Sequence, residues 1–353
     1  MRRTLPPLAW LALKGLAAAY RHRGPVSAHF DGETFHNDPP LGDKSRREMR
    51  HWQREHRQML PWVWQPGPST SQRLPVGPSA DGIRVTFVNH ATFLVQMAGL
   101  NLLTDPVWSR RVSPLSFAGP RRYHPPGIAL EALPPIDAIL VSHNHYDHLD
   151  LWSLRQLARR FPQARIVTGL GNAALCKALG FTNVDELDWW QELRLSDDVY
   201  LTATPARHWS ARSLWDRRRT LWLSFVIESP AGAVYFAGDT GFGPHFARIA
   251  ERFGAMTLSL LPIGAFQPRW FMHDVHMGPD EAVAAHAILR SQHSVACHFG
   301  CFALANDGQF EPQQALAEAR RAAGLEANAF IVPTPGQSIC FARNTAFADE
   351  RCV

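Results

Sequence analysis

Four side chains of the kind that bind transition metals lie close together in the chain: His143, His145, Asp147 and His148. They directly follow an apolar run at 138–141 that is typical of a strand. At the carboxyl end of a strand the chain leaves the sheet, so alternate side chains there can turn toward one point. Imidazole together with carboxylate favours zinc or a neighbouring first-row metal, because calcium and magnesium prefer oxygen ligands alone.

Three further candidate ligands, His208, Asp239 and His298, each follow another strand-like run. One zinc ion needs three or four ligands, so the first loop cannot complete two ions without them. A single histidine among the 17 in this chain is more often a surface or core residue than a ligand, and an aspartate after glycine is more often a turn residue. The metal site is therefore predicted by the combined pattern rather than by any one residue.

The elements that must position these side chains are short apolar runs bounded by turn residues, which predict strands. They lie at 83–88, 92–97, 100–103, 138–141, 165–168, 199–203, 221–228, 233–237, 257–261, 295–297 and 329–332. Amphipathic patterns between them predict helices at 151–161, 279–291 and 312–323. An antiparallel start followed by alternating strands and helices, repeated in two halves, predicts an α/β protein built as a four-layer αβ/βα sandwich.

Residues 1–80 are rich in proline, histidine, arginine and tryptophan and show little periodicity, which predicts an N-terminal extension. The short apolar runs that follow predict one catalytic domain at 81–345. An apolar fraction of 46% with 19% charged residues excludes a mainly disordered chain. The net charge of +5 points weakly to an anionic partner such as a phosphate ester, an acidic membrane surface or a nucleic acid.

Cellular location is suggested by the cysteines and by the N-terminus. Five cysteines without a CxxC pair do not indicate a secreted disulfide framework, which favours a reducing, cytoplasmic compartment. The apolar stretch at 8–20 is shorter than the roughly 20 residues that span a bilayer. It could be a signal peptide, a membrane-interfacial anchor or a helix packed on the domain, so peripheral membrane association is also expected.

These motifs resemble the family of N-acyl-phosphatidylethanolamine-hydrolysing phospholipase D, within the metallo-β-lactamase superfamily. Besides the loop at 143–150, the resemblance rests on LTDP at 103–106, LPPIDA at 133–138, ELDWW at 186–190, FAGDTG at 236–241, PIGA at 262–265, PRWFM at 268–272 and FALAN at 302–306. It covers roughly residues 84–335 and implies the metallo-β-lactamase fold.

The resemblance also implies roles for individual residues. One zinc ion would be held by His143, His145 and His208, the other by Asp147, His148 and His298, and Asp239 would bridge the two. His276 would contact the substrate, although the residue before it is Val275, where the mammalian relatives have glutamine. We further expect Asp105 and Asp150 to fix the tautomers of ligand histidines, and Tyr146 to line the pocket.

A pair of zinc ions sharing a carboxylate and a water would generate hydroxide near neutral pH and polarise the oxygen of the electrophile. In a phosphodiester, attack by this metal-bridging hydroxide would release an alcohol, so N-acyl-phosphatidylethanolamine-like lipids would give phosphatidic acid and N-acylethanolamine. Asp239 would orient the hydroxide, and His276 would orient the phosphate or protonate the leaving oxygen.

Other functions stay open at this stage. The same metal site could hydrolyse a lactone, an ester, a lactam or another phosphodiester. No nucleic-acid partner is expected, because the chain has no separate basic, aromatic-interleaved module. A di-iron redox protein would be expected to carry a carboxylate in place of His145, and a lipid-binding protein without metal would not need the complete ligand set. The oligomeric state is undecided, with a homodimer as one option.

Overall fold

The computed structural model describes residues 20–67, 82–115 and 117–342. The predicted apolar segment at 8–20 lies outside these residues except for Tyr20, so its three interpretations stay predictions. No helix within the described ranges is long and apolar enough to cross a membrane.

The described chain forms fourteen strands and seven α-helices. The strands are β1 (Gly82–Asn89), β2 (Thr92–Met97), β3 (Leu100–Thr104), β4 (Ala138–Val141), β5 (Arg165–Gly169), β6 (Val184–Leu187), β7 (Glu192–Arg194), β8 (Tyr200–Thr204), β9 (Ser224–Ser229), β10 (Gly232–Phe236), β11 (Leu258–Pro262), β12 (His293–Cys297), β13 (Phe330–Ile331) and β14 (Ser338–Ala342). The helices are α1 (Arg46–His56), α2 (Leu151–Arg160), α3 (Ala173–Ala178), α4 (His245–Phe253), α5 (Arg269–Met272), α6 (Pro279–Ile288) and α7 (Glu311–Ala322), with a short 3₁₀ turn at Leu130–Ala132.

The strands make two seven-stranded sheets, in the orders β14-β1-β2-β3-β4-β5-β6 and β13-β12-β11-β10-β9-β8-β7. Each sheet has antiparallel pairs at one end and parallel pairs at the other. The parallel strands of the first sheet are β3 to β6, and those of the second are β10 to β13. Because parallel strands end at the same edge, side chains that follow them can meet there.

The layering is visible along β4, whose four residues are all buried. Ile139 and Val141 face outward and pack with Leu154 and Leu157 of α2, whereas Leu140 belongs to the large cluster between the sheets. A strand covered by helices on one face and by a second sheet on the other reads as a continuous apolar run. The predicted sandwich of two sheets with helices outside is confirmed.

The segment before β1 packs closely on the rest of the molecule. Phe30 and Phe35 are fully buried in the cluster between the sheets, and the side chain of Asn37 pairs with the backbone of His208. Helix α1 begins at a capping box formed by Ser45 and Glu48. This helix was not predicted, although the Ser-x-x-Glu pattern that marks its start is present in the sequence.

The sequence patterns also did not predict several other helices and strands. Strands β6, β7 and β14 are short or lie at sheet edges, and helices α3, α4 and α5 have four to nine residues, which is too short for a clear periodicity. The cysteines Cys176, Cys297 and Cys301 are buried free thiols, as expected of a chain without a disulfide framework. Cys340 in β14 is disulfide-bonded, which the odd cysteine count did not predict.

Candidate metal centre

The four clustered candidate ligands lie in the loop that joins β4 to α2. This loop is held from outside by Arg212, whose guanidinium donates to the backbone carbonyls of Asn144, at 2.7 Å, and Leu149, at 2.9 Å. The same guanidinium lies over the ring of Tyr146, 3.9 Å from its centroid. The loop is therefore anchored at both ends by one half-buried cation.

The three distal candidates also follow strands and reach the same place. His208 follows β8, Asp239 follows β10 and His298 follows β12, and all three are buried. Together with the loop residues they form overlapping groups whose ligand atoms lie within 4.8 Å of one another. The structure thus brings together all seven predicted ligands, from both sheets, at one edge of the sandwich.

The first group consists of His143, His145 and His208. Nε2 of His143 lies 2.8 Å from Nδ1 of His145, and Nε2 of His208 lies 3.2 Å from the same atom. The predicted division of ligands assigns these three residues to one ion, and their nitrogens do converge on one point.

The second group contains Asp147, His148 and His298. Oδ2 of Asp147 lies 3.3 Å from Nε2 of His148 and 3.4 Å from Nε2 of His298. Asp239 lies between the two groups: its Oδ2 is 3.2 Å from Nε2 of His148 and 3.7 Å from Nε2 of His208, while its Oδ1 is 3.2 Å from His298. This is the position that a bridging carboxylate would occupy.

The hydrogen bonds around His143 and His148 determine which nitrogen of each ring is free to bind a metal. The hydroxyl of Ser142 donates to Asp105, so its oxygen accepts from Nδ1 of His143. Asp105 also accepts from Nδ1 of His148, at 2.6 Å. Both rings therefore present the lone pair of Nε2 to the centre of the site. The predicted role of Asp105 in fixing an imidazole tautomer agrees with these contacts.

His208 also presents Nε2 to the centre, because its Nδ1 donates to the backbone carbonyl of Val275 at 3.0 Å. Its Nε2 lone pair, like those of the other two rings, points at nitrogen lone pairs or carboxylate oxygens rather than at donors. Nε2 of His148, Nε2 of His298 and Oδ1 of Asp239 are buried without a hydrogen-bond partner among the described residues. Buried acceptors that face one another need a cation between them, so these side chains fit a metal centre.

The pKa values of the histidines also agree with a metal centre. Burial lowers the pKa of His145 to about 3 and that of His208 to about 4, so these rings are neutral, as metal ligands must be. Burial alone would also lower the pKa of His298, but Asp239 and Asp147 raise it to about 9. Asp147 and Asp239 thus stabilise a positive charge at this point, and a proton on His298 supplies that charge when no metal ion is bound.

Unusual backbone geometry accompanies the site. Asp105 and His298 have positive φ angles of 31° and 59°. Gly238, at φ +57°, precedes Asp239 at a point where a Cβ would lie 2.5 Å from that of Ser142. A Cβ on Gly264 would meet the carbonyl oxygen of His298 at 2.1 Å. These glycines allow the two sheets to approach closely enough to share the site.

Two further histidines border the centre. Nδ1 of His276, the predicted substrate contact, lies 4.0 Å from Oδ2 of Asp239 and is buried without a partner among the described residues. His90 was not predicted at all, yet its Nε2 lies 3.0 Å from Oδ2 of Asp147. A usable signal existed, because His90 follows the predicted strand at 83–88, just as His208 and His298 follow predicted strands.

The expectation for Asp150 was wrong, because this carboxylate does not contact a ligand histidine. It caps α2 by accepting from the backbone N–H of Ser153 and also accepts from the hydroxyl of Ser109 at 2.8 Å. The residue is the N-cap that starts the helix after the ligand loop, and the preference of helix N-termini for aspartate explains its presence.

A cavity of about 520 Å³ lies beside the ligand loop. Tyr146 lines it, as expected for this residue, together with Trp152, Leu175 and the arginines Arg111 and Arg212. The cavity therefore combines apolar walls with fixed positive charge.

Comparison with known proteins agrees with the fold and identifies the family. The beta-lactamase superfamily domain matches residues 100–299, so the chain is a protein of the metallo-β-lactamase superfamily. N-acyl-phosphatidylethanolamine-hydrolyzing phospholipase D 1 of Caenorhabditis elegans is 38% identical over 250 residues, which cover 68% of this chain and 70% of that one. The chain belongs to the family of N-acyl-phosphatidylethanolamine-hydrolysing phospholipase D and is a hydrolase.

Two other similarities extend the comparison. An uncharacterized protein of Mycobacterium tuberculosis is 36% identical over 337 residues, covering 93% of this chain and 88% of that protein. The solved structure of an isothiocyanate hydrolase from Delia radicum gut bacteria covers 74% of this chain and 99% of its own, with a TM-score of 0.59 and 22% identity. The latter similarity concerns the fold alone.

Proposed function

We propose that this chain is a two-zinc phosphodiesterase of the phospholipase D type, which cleaves N-acyl-phosphatidylethanolamine-like lipids to phosphatidic acid and N-acylethanolamine. The observation that carries the proposal is the arrangement of seven donors in two groups with Asp239 between them. The relationship to the phospholipase of Caenorhabditis elegans supports the choice of a phosphodiester substrate.

The chain's own residues would divide the work as follows. Bound zinc would supply a nucleophile at neutral pH and stabilise charge on the phosphoryl oxygens. His143, His145 and His208 would hold one ion, Asp147, His148 and His298 the other, and Asp239 would join them. Asp105 and Ser142 keep two of the imidazoles in the tautomer that binding requires.

His276 is the residue that we assign to the substrate. Burial lowers its pKa well below the usual range, so the ring is neutral and suits hydrogen bonding to a phosphoryl or leaving oxygen better than it suits donating a proton as a strong acid. Its partnerless Nδ1 lies on the side of Asp239, which places the ring next to the proposed reaction centre.

The cavity beside the ligand loop suits an amphipathic anion. Trp152, Leu151 and Leu175 offer apolar surface for acyl chains, and the guanidinium groups of Arg110 and Arg111 offer charge for a phosphate or a neighbouring lipid headgroup. A phospholipid combines these two chemistries, whereas a small lactone would use neither the length nor the charge of the cavity.

Peripheral contact with an anionic membrane is part of the proposal, and α1 is the surface that we assign to it. Arg46, Arg47 and Arg50 are exposed on this helix, and each basic residue near an anionic bilayer contributes about 1 kcal/mol. Further along the chain, Leu60 is 85% exposed and Trp64 is 52% exposed. These residues could enter the interface while the arginines contact headgroups.

Membrane contact is tested by sedimentation with phosphatidylcholine vesicles that contain or lack phosphatidylglycerol. Changing Arg46, Arg47 and Arg50 to glutamine should abolish most of the salt-sensitive binding to anionic vesicles. A control variant removes three exposed arginines from other helices: Arg155, Arg252 and Arg321. Equal loss of binding in both variants would mean that net charge, rather than α1, controls the association.

The catalytic proposal is tested by metal analysis of the purified protein, followed by product analysis with three substrates. The expected result is two zinc ions per chain and release of phosphatidic acid from N-acylated phosphatidylethanolamine. Plain phosphatidylethanolamine tests the need for the N-acyl group, and a lactone tests the alternative of carbon-centred hydrolysis by the same metals. Cleavage of the lactone without cleavage of either lipid would refute the phospholipase assignment.

A further inference from the structure

His90 lies in the turn between β1 and β2, and it connects two of the predicted ligands of the second ion. Its Nε2 is 3.0 Å from Oδ2 of Asp147, and its backbone carbonyl accepts from the N–H of His298 at 2.8 Å. The rings of His90 and His298 lie 4.1 Å apart between centroids, and the ring of Phe302 packs edge-on at 5.2 Å. The side chain is almost completely buried, so its position is fixed by packing.

We propose that His90 is a positioning residue, whose Nε2–H donates to Asp147 and holds that carboxylate toward the second ion without binding the ion itself. This inference rests on the proposed two-metal function. It adds a residue from the turn between β1 and β2, which contributes none of the seven predicted ligands, to the support of the site.

The surroundings of the His90 ring favour a hydrogen-bond donor over a metal ligand. A metal ligand would need its lone pair on Nε2, which would move the proton to Nδ1. Nδ1 of His90 is buried and has no hydrogen-bond partner among the described residues, and a buried donor without a partner is costly. Among the predicted ligands, the second ring nitrogens of His143, His148 and His208 have an acceptor, whereas Nε2 of His145 and Nδ1 of His298 have none among the described residues.

The distance is compatible with the donor role, because 3.0 Å between Nε2 and a carboxylate oxygen is the length of a good N–H···O hydrogen bond. Carboxylates that ligate metals are commonly held by such outer hydrogen bonds, and losing one typically weakens metal binding by 10- to 100-fold.

The test compares two substitutions, His90→Gln and His90→Leu. Both side chains lack a branch at Cβ, so the backbone cost at the φ of +48° is similar. Glutamine keeps an N–H donor near the position of Nε2, whereas leucine fills the space without one. We expect H90L to weaken the binding of one of two zinc equivalents by about 10- to 100-fold, and H90Q to stay near the unmodified protein.

The readout is a zinc titration of the metal-free protein against a chelator, which does not depend on any substrate. Wild-type affinity in H90L, or equal losses in H90L and H90Q, would overturn the role of His90 while leaving the two-zinc function intact. An unmodified protein that binds fewer than two zinc ions would instead refute the proposed function, and this inference with it.

A direct measurement covers the case in which H90L does not fold. Isotope-labelled histidine in the zinc-loaded, unmodified protein reports by nuclear magnetic resonance which ring nitrogen carries a proton, and the missing signal in H90Q identifies His90. A protonated Nε2 supports the inference, whereas an unprotonated, metal-bound Nε2 overturns it and makes His90 an eighth ligand.

Discussion

Replacing Arg212 with lysine tests whether the ligand loop depends on a clamp that lies outside the metal centre. The guanidinium donates to the carbonyls of Asn144 and Leu149 and stacks over Tyr146, so it holds the loop at both ends. Lysine keeps the positive charge but has a compact ammonium group on a flexible stem instead of a planar fork. Both carbonyl bonds come from one nitrogen, Nη1, and the shorter lysine side chain cannot place its ammonium at that point for both bonds while also covering the ring of Tyr146.

The expected cost follows from these contacts. A hydrogen bond that involves a charged group contributes about 1.5–3 kcal/mol, and one such bond is lost in R212K. The free energy of unfolding of the metal-free protein should therefore fall by about 2–3 kcal/mol. Zinc affinity should fall as well, because a looser loop must be ordered again when the ion binds.

The assay is denaturant unfolding of the metal-free protein, followed by tryptophan fluorescence, together with a zinc titration. Arg217→Lys is the matched control, since Arg217 lies in the same segment but is 42% exposed and pairs with Asp43 at the surface. Exposed pairs contribute about 0–1 kcal/mol, so R217K should change little. If R212K unfolds at the same free energy and binds zinc as tightly as the unmodified protein, the clamp does not exist in solution.

Three further results are expected. Asp105→Asn should weaken zinc binding by about 10- to 100-fold in the same titration, whereas Asp150→Asn should leave it unchanged, because Asp150 caps α2 and touches no ligand. Burial lowers the pKa of His245 to about 3, and the charges of Arg207 and Arg248 add to this effect. The unfolded chain, in which this histidine has a pKa of about 6.5, therefore binds a proton that the folded protein does not, so the metal-free protein should lose stability as pH falls from about 6.5 toward 3. In His245→Gln, the free energy of unfolding should change with pH by about 1.4 kcal/mol per pH unit less than in the unmodified protein. An unchanged pH dependence would contradict the lowered pKa of His245. Trp152→Ala should raise KM for the lipid but not for a small bis-aryl phosphodiester, and equal changes for both substrates would exclude the cavity as the acyl site.

Much of the centre was predictable from the sequence because the ligands follow strands, and strand ends can be recognised from apolar runs. His208, Asp239 and His298 are far apart in the chain, but each follows a buried apolar run. Strands β10 and β12 belong to the parallel part of the second sheet, and β8 runs in the same direction because one antiparallel strand, β9, separates it from β10, so all three carboxyl ends reach one edge. Asp150 shows where the same reasoning fails. A carboxylate near metal ligands and a carboxylate at a helix start look identical in sequence, and here the helix cap is its role.

The missed features depend on contacts between distant segments. Strand β14 pairs with β1 across most of the chain, and no local pattern encodes that pairing. Arg212 lies in a basic, loop-like stretch, and only the folded structure shows its two bonds to the ligand loop. Apart from Asp105, the sequence therefore revealed the donors that would touch the ions but not the groups that hold the donors in place.

The distribution of the donors over both sheets has a consequence for how the protein would acquire its ions. A nascent chain ending before residue 298 contains the dense loop but lacks the last member of the second group. The second group cannot be complete before His298 has been synthesised after β12, so loading of the second ion must follow the docking of the two halves, whereas the first group needs no residue beyond His208. Which ion the second group captures would then be decided by the finished pocket and by the metals available at that moment, rather than by the first exposed histidines.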